Sequence, residues 1–362
     1  MPKDLIGIRP VRLPAAVGEV VLAAEELRHG QANAATGGIW RVRGPAGSAI
    51  LKVARLPAGA DAEKAFSTSD EPSHWNYWQR EALAYETGLA SNAYAAAGID
   101  APAVLGVDGQ PDGGVELWLG DVTGTGGFGW PPARLGRFGY ELGAGQARWA
   151  GRVPATGWLS RRWLAQYMAK GPSWVGPFDA AFWDHPGLAP WPRQVRDRLR
   201  LLWAERYRML ARAEAGARTL CHLDVWPANL VDDEGTSVLL DWSFTGEGAI
   251  GEDVSNLILD CFNDGLMDVA LLAEVDETVT DGYLRGLLDG GWTGSADAVR
   301  TAIAACGAAK YSWFGPAMAA RAVRDDLGTS SYRQDTSAAA AVRRLAPVVT
   351  LIADWATAAR LG

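Results

Sequence analysis

The stretch His222-Leu223-Asp224-Val225-Trp226-Pro227-Ala228-Asn229, followed by Asp241-Trp242-Ser243, decides how this chain is read. It has the form H-x-D-x-x-x-x-N, and an apolar run, Val238-Leu239-Leu240, leads into Asp241. Two carboxylates and one amide on neighbouring loops are the groups that phosphoryl transfer requires. Asp224 is the expected base, orienting the attacking hydroxyl. Pro227 keeps its loop from becoming helical, so the side chain can point into a cleft. Asn229 and Asp241 are the expected Mg²⁺ ligands, because a hard cation takes oxygen donors and shares its shell with substrate phosphates. An isolated H-x-D would equally suit a turn aspartate capping its own backbone. The amide and the second carboxylate at this spacing favour chemistry. His222 is expected to be structural, packed beneath the loop.

Working outward, Lys52 lies in the apolar run Ala49-Ile50-Leu51-Lys52-Val53. A lysine there is costly to bury unless paired. It is the expected contact to the α/β-phosphates, partnered by Glu81 or, as a competitor on the same helix, Glu86. Two β-like runs, 39–43 and 48–54, joined by Gly44-Pro45-Ala46-Gly47, predict a hairpin. Residues 16–29 read as an amphipathic helix closed by Gly30. Residues 31–38 read as a turn-rich loop in which Thr36 and the N–H groups of Gly37 and Gly38 would meet phosphate oxygens. A helix is expected from Ser73 to about Ala97, and strands over 103–107 and 115–119. The backbone of Gly120, Asp121 and Val122 would face the purine base. The Gly-rich connector 120–129 sets the expected boundary between a nucleotide-binding domain, 1–120, and a catalytic domain, 121–362. The second is expected to be mostly helical, over roughly 132–150, 158–170, 193–215, 253–272, 276–289, 296–310 and 336–360. Its exceptions are short strands at 219–221 and 237–240.

Composition limits the partners. The 362 residues carry 34 Lys and Arg against 42 Asp and Glu, a net charge of −8, and no basic tract. Nucleic acid and anionic membrane are therefore poor partners. No secretory signal or membrane-spanning run is visible. Cys221, Cys261 and Cys306 are scattered, as expected of reduced core thiols in a cytoplasmic protein. Cys221 beside His222 is also the pairing of a thiol catalyst, but the neighbouring spacing has the better explanation. Lysine occurs only at positions 3, 52, 64, 170 and 310, so each one carries weight. Trp is abundant, at 17. Most tryptophans suit packing, while some, Trp226 first among them, suit an acceptor pocket for sugar rings or apolar groups. Asp184, Asp260 and Glu247 would serve either as solvated carboxylates or as contacts to a cationic acceptor.

Leu223 stands where a protein kinase carries an Arg, and no A-P-E follows Asp241, which argues against a regulated protein kinase. Lys52, Glu81, the stretch 222–229, Leu240-Asp241-Trp242-Ser243 and Gly251-Glu252-Asp253-Val254 together resemble the aminoglycoside phosphotransferase family of small-molecule kinases, over residues from about 30 to 260. The resemblance is specific in the catalytic loop and loose elsewhere. It implies a two-lobed, protein-kinase-like α/β (α+β) fold, with an antiparallel sheet plus a helix in the first lobe and a mostly helical second lobe. It also implies Asp253 as a buried brace of the catalytic loop, Mg²⁺, and ATP or GTP as co-substrate. The acceptor would be a small hydroxylated molecule: an antibiotic, such as an aminoglycoside, a nucleoside or another sugar-containing drug, or alternatively a primary metabolite. A monomer or homodimer is expected. A nucleotide-binding pseudokinase is the reading from a different class.

Overall fold

The chain is described by a computed structural model covering residues 12–30, 32–57, 66–111, 113–327 and 332–361. The strands are β1 (Ala23–Glu26), β2 (Thr36–Gly44), β3 (Gly47–Ala54), β4 (Ile99–Asp100), β5 (Val104–Gly109), β6 (Val115–Gly120), β7 (Thr125–Gly126), β8 (Arg218–Cys221), β9 (Leu230–Asp233), β10 (Thr236–Leu239) and β11 (Gly246–Ala249). The helices are α1 (Arg80–Glu86), α2 (Leu89–Asn92), α3 (Pro132–Trp149), α4 (Trp163–Met168), α5 (Gly171–Val175), α6 (Arg193–Glu214), α7 (Glu252–Asp260), α8 (Leu272–Asp289), α9 (Ala296–Lys310), α10 (Phe314–Arg324), α11 (Ala338–Arg344) and α12 (Ala346–Leu361).

Two units emerge. One comprises residues 1–125, 155–160 and 230–245; the other comprises 126–154, 161–229 and 246–362. A single cut after residue 120 is therefore corrected. The β9–β10 hairpin belongs with the first unit because β10 pairs in parallel with β4, Ser237 opposite Ile99. Residue 160 is tied there as well, its N–H donating to the Thr245 carbonyl.

The first unit carries an antiparallel sheet in the order β1-β2-β3-β6-β5. Side chains alternate across a strand. Ala49, Leu51 and Val53 of β3 pack with Trp40, Val42 and Trp118 in one core cluster. Ile50, Lys52 and Ala54 therefore face the other way. This alternation, rather than any property of lysine, sends Lys52 to the face opposite that cluster.

Three expectations fail in this unit. Residues 23–26 form an edge strand paired with β2, Ala23 opposite Arg43, and not part of a helix. Their apolar neighbours have no buried stripe to join: Val20 and Leu22 are 46% and 64% exposed. The strand β2 begins at Thr36, so Thr36, Gly37 and Gly38 stand in a strand with a bulge, not in the preceding loop. Gln31 lies outside the described residues. The helix expected over 73–97 is shorter and interrupted. Gly88 adopts φ 73°, a left-handed conformation suited to glycine, between α1 and α2. Residues 72–75 stay non-helical because the Arg80 guanidinium collects the carbonyls of Pro72, His74 and Trp75.

The second unit is mostly helical, with β8 and β11 as an antiparallel pair. The helix expected over 158–170 is confined to 163–168, followed by α5. In the region expected to be helical over 253–272, α7 ends at Asp260. Glycines bring α3 and α8 together. A Cβ at Gly286 would sit 1.9 Å from the Tyr140 carbonyl oxygen, and one at Gly143 would sit 2.3 Å from that of Tyr283. Only glycine permits so close a backbone approach. Among the described residues, no helix is long and apolar enough to cross a membrane.

Candidate active site

In the first unit Lys52 is the centre of charge. It is 8% exposed and ion-paired with Glu81 of α1, and its Nζ lies 3.0 Å from Asp241 Oδ1. Burial alone would lower its pKa. The carboxylates of Asp241 and Glu81 outweigh that and hold the ammonium well above its ordinary range. Burial pushes Glu81 up to about 7, opposed by Lys52 and by the Trp242 N–H. Glu86 is exposed and takes no part. Asp241 adopts φ 58°, an uncommon conformation for a non-glycine residue, of the kind that gathers at functional sites.

Arg80 was not singled out in the sequence, yet it is fully buried beside Glu81. Its guanidinium donates to five carbonyls, those of Pro72, His74, Trp75, Trp158 and Ser243. It thereby ties α1 to the turn just after Asp241. The signal available was its place one residue before Glu81. The Asp121 side chain is occupied by Arg41 at 2.9 Å and Ser48 at 2.7 Å, which steadies the strand end at Gly120.

In the second unit the residues of the stretch 222–229 are held by buried groups. Asp253, at the start of α7, accepts from His222 N at 2.9 Å, Leu223 N at 2.7 Å and Gln146 Nε2 at 2.8 Å. Leu223 stands at φ 69°, so its strained backbone is pinned through its own N–H. Asp224 N donates to His222 Nδ1 at 3.3 Å. Asn229 Nδ2 donates to Asp224 O at 2.9 Å and to Asp224 Oδ2 at 3.0 Å. That leaves the amide oxygen of Asn229 as the atom it can offer a hard cation. Burial pushes the Asp253 carboxyl up to about 6, against the pull of the His222 and Leu223 N–H groups, Lys310 and Gln146. Cys221 is fully buried, and burial first, then Asp253 and Glu252, raises its thiol well above the ordinary range. Such a thiol is inert, which leaves it no nucleophilic role.

Three supporting residues escape sequence reasoning because they come from distant helices. Tyr283 of α8 donates to Gln146 Oε1 at 2.5 Å and accepts from Gly251 N at 3.0 Å, which fixes the Gln146 amide against Asp253. Asn256 of α7 donates to the Val225 carbonyl at 2.7 Å and so holds the residue after Asp224.

The expected acceptor residues separate. Trp226 is half-buried between Phe128 and Tyr332, with ring centroids 5.9 and 5.2 Å away and both rings edge-on. Asp184 is exposed in a short 3₁₀ turn, 3.5 Å from Arg200. Glu247 is engaged by Arg161 and Arg218. Asp260 faces Lys310 at 3.9 Å and Asn263 at 2.5 Å. Trp163, Trp183 and Trp191 are core residues.

A family model described as the phosphotransferase enzyme family matches residues 37–296. No curated protein matches the sequence. Among solved structures, the chain is similar to an amicoumacin kinase in complex with AMP-PNP, Ca²⁺ and Ami, at 13% identity and TM-score 0.51, over 85% of this chain and 83% of that one. It is also similar to an aminoglycoside phosphotransferase from Alicyclobacillus acidocaldarius, at 16% identity and TM-score 0.51, over 98% and 97%. A choline/ethanolamine kinase family protein from Mesorhizobium loti matches at 15% identity and TM-score 0.48, over 96% and 95%. The antiparallel sheet, the helical remainder and the family match agree, and the chain belongs to the phosphotransferase enzyme family, as a small-molecule kinase with a protein-kinase-like fold.

Proposed function

We propose that the chain moves the γ-phosphate of ATP or GTP to a hydroxyl of a small molecule in a Mg²⁺-dependent reaction, and that the acceptor is an antibiotic inactivated by the transfer. The observation that carries the reaction is the bracing of Asp224. Its backbone and carboxylate are both held by Asn229, while Asp253 pins the two residues before it. A carboxylate held this firmly can accept a hydroxyl proton without reorganising.

The donor set fits a hard cation. Asn229 offers an amide oxygen and Asp241 a carboxylate, and nucleotide phosphates would complete the shell. These two residues would hold the Mg²⁺, which when bound neutralises phosphate charge. Lys52, kept protonated by its two carboxylates, contacts the α/β-phosphates, and Glu81 orients it. At the β2 bulge, Thr36 and the N–H groups of Gly37 and Gly38 meet phosphate oxygens. The backbone of Gly120, Asp121 and Val122 faces the purine. The cytoplasm supplies the nucleotide. Support for a sugar-bearing antibiotic as acceptor comes from Trp226 and its aromatic neighbours two residues beyond Asp224, since ring faces suit sugars.

The test is a phosphate-transfer screen of hydroxylated antibiotics and sugars with both nucleotides. Asp224→Ala is expected to lower the rate by roughly 10²–10⁴ while Mg²⁺-nucleotide still binds. Undiminished turnover would remove Asp224 from the reaction. Expression in a sensitive host is expected to raise tolerance of the drug identified. Transfer to metabolites alone would overturn the antibiotic assignment.

A further inference from the structure

Lys310, at the end of α9, is 5% exposed. Its Nζ lies 5.0 Å from the ring centroid of Trp163, 5.4 Å from that of Tyr167 and 5.5 Å from that of Tyr311. Asp260 Oδ2 stands 3.9 Å away. Aromatic faces with a nearby carboxylate are the chemistry by which proteins recognise ammonium ligands. Here the ammonium belongs to the chain itself. In a sequence that favours arginine, the choice of a compact ammonium at this position fits a cage of that size.

The cage adjoins the catalytic loop. Tyr311 Oη donates to Asn256 Oδ1 at 3.2 Å, and Asn256 Nδ2 donates to the carbonyl of Val225, the residue after Asp224. The phenols of Tyr167 and Tyr311 are both raised, by burial first and with the carboxylates of Asp260 and Asp224 adding to it. From the cage the aromatic surface continues outward. Tyr167 stacks on Trp163 at 4.8 Å, meets Trp174 at 4.7 Å, and Trp174 meets Trp313 at 5.1 Å. Trp174 and Trp313 are half-buried.

We propose that Lys310 is the built-in occupant of an ammonium cage and thereby sets the acceptor class: a hydroxylated molecule with an apolar or sugar face and no cationic group beside the reacting hydroxyl. This rests on the phosphotransferase reading above. Asp260, which alone would attract a cationic acceptor, is already neutralised. A second ammonium would meet like charge in a poorly screened interior, where repulsion is strong. An uncharged ring meets only the aromatic faces.

The test uses the intact protein and Lys310→Ala, each checked for fold by circular dichroism and for nucleotide binding by calorimetry. The probe is tetramethylammonium chloride, against sodium chloride at equal ionic strength. Lys310→Ala is expected to bind tetramethylammonium at least tenfold more tightly than the wild type, and the added change Asp260→Asn is expected to abolish that gain. Equal binding by the wild type, or none by folded Lys310→Ala, overturns the proposal. On the wild type alone, acceptor pairs that differ by one ammonium group beside the hydroxyl are compared. The neutral member is expected to have at least tenfold higher kcat/KM. The reverse order overturns the proposal whether or not Lys310→Ala folds. Mg²⁺-dependent nucleotide hydrolysis by the wild type reports separately on the phosphotransferase reading.

Discussion

Replacing Asp253 by Asn probes the brace of the proposed catalytic loop. The carboxylate accepts three hydrogen bonds at 2.7–2.9 Å and is fully buried. An amide of the same shape has one acceptor oxygen, so its NH₂ group must face at least one of these donors. A hydrogen bond to a charged group contributes about 1.5–3 kcal/mol, and a buried donor left unpaired costs about 1–3 kcal/mol. Removing a charge that burial disfavours offsets part of that cost, so the expected loss in urea unfolding is about 1–2 kcal/mol, against the ~5–15 kcal/mol that holds a typical protein folded. Leu223, at φ 69°, is then free to relax and carry Asp224 with it. A displacement of about 1 Å costs roughly 10² in rate, so kcat is expected to fall by about that factor. The pH profile provides a second readout. Burial raises Asp253 to about 6 in the folded protein, above the ~3.9 of an unperturbed aspartate. Its contribution to stability therefore grows as pH falls from about 6 to about 4. Wild-type activity is expected to decline below pH ~6 in protein that remains folded, and the Asn variant is expected to lack that limb. A variant within about 0.5 kcal/mol and twofold of wild type, with an unchanged profile, would refute the reasoning.

Lys52→Met leaves Glu81 and Asp241 without their shared cation, and breaking such a buried pair costs about 3–5 kcal/mol. Because the raised pKa of Lys52 keeps its contribution intact until alkaline pH, the deficit should be full at pH 8. It should shrink toward pH 5 as Glu81 protonates; denaturant curves showing the same loss at both values would contradict this. Trp226→Ala is expected to raise the acceptor KM about tenfold and leave the nucleotide KM unchanged, a split that steady-state kinetics reads directly. Gly286→Ala would place a Cβ 1.9 Å from the Tyr140 carbonyl and is expected to cost about 3 kcal/mol or more by thermal unfolding. Gly109→Ala, with nothing within 4 Å of the added atom, should lie within about 0.5 kcal/mol of wild type.

The chemical groups were legible in the sequence where the chain brings them together over short distances. Asp224 and Asn229 are five residues apart on one loop, and their hydrogen bond follows from that spacing. Lys52 was legible because a lysine flanked by apolar residues demands a partner, and Glu81 lies on the first helix after it. The edge strand Ala23–Glu26 was not, because a short apolar run suits helix and strand alike until a neighbour supplies the ladder. Nor was the interrupted helix before residue 80, where one buried guanidinium satisfies carbonyls that a helix would otherwise pair among themselves.

By itself, then, the sequence determined the candidate groups for phosphoryl transfer and most of the order of elements that carries them, because both reside in local spacing and hydrophobic period. Only the tertiary structure decided what holds those groups still and what surrounds Lys310. Gln146 and Tyr283 reach Asp253 from 107 residues before it and 30 after, because glycines let α3 and α8 approach closely. Lys310 enters its cage with rings from α4, more than a hundred residues earlier in the chain. Burial, pairing and charge compensation are properties of neighbours in space, and at such separations only packing makes residues neighbours.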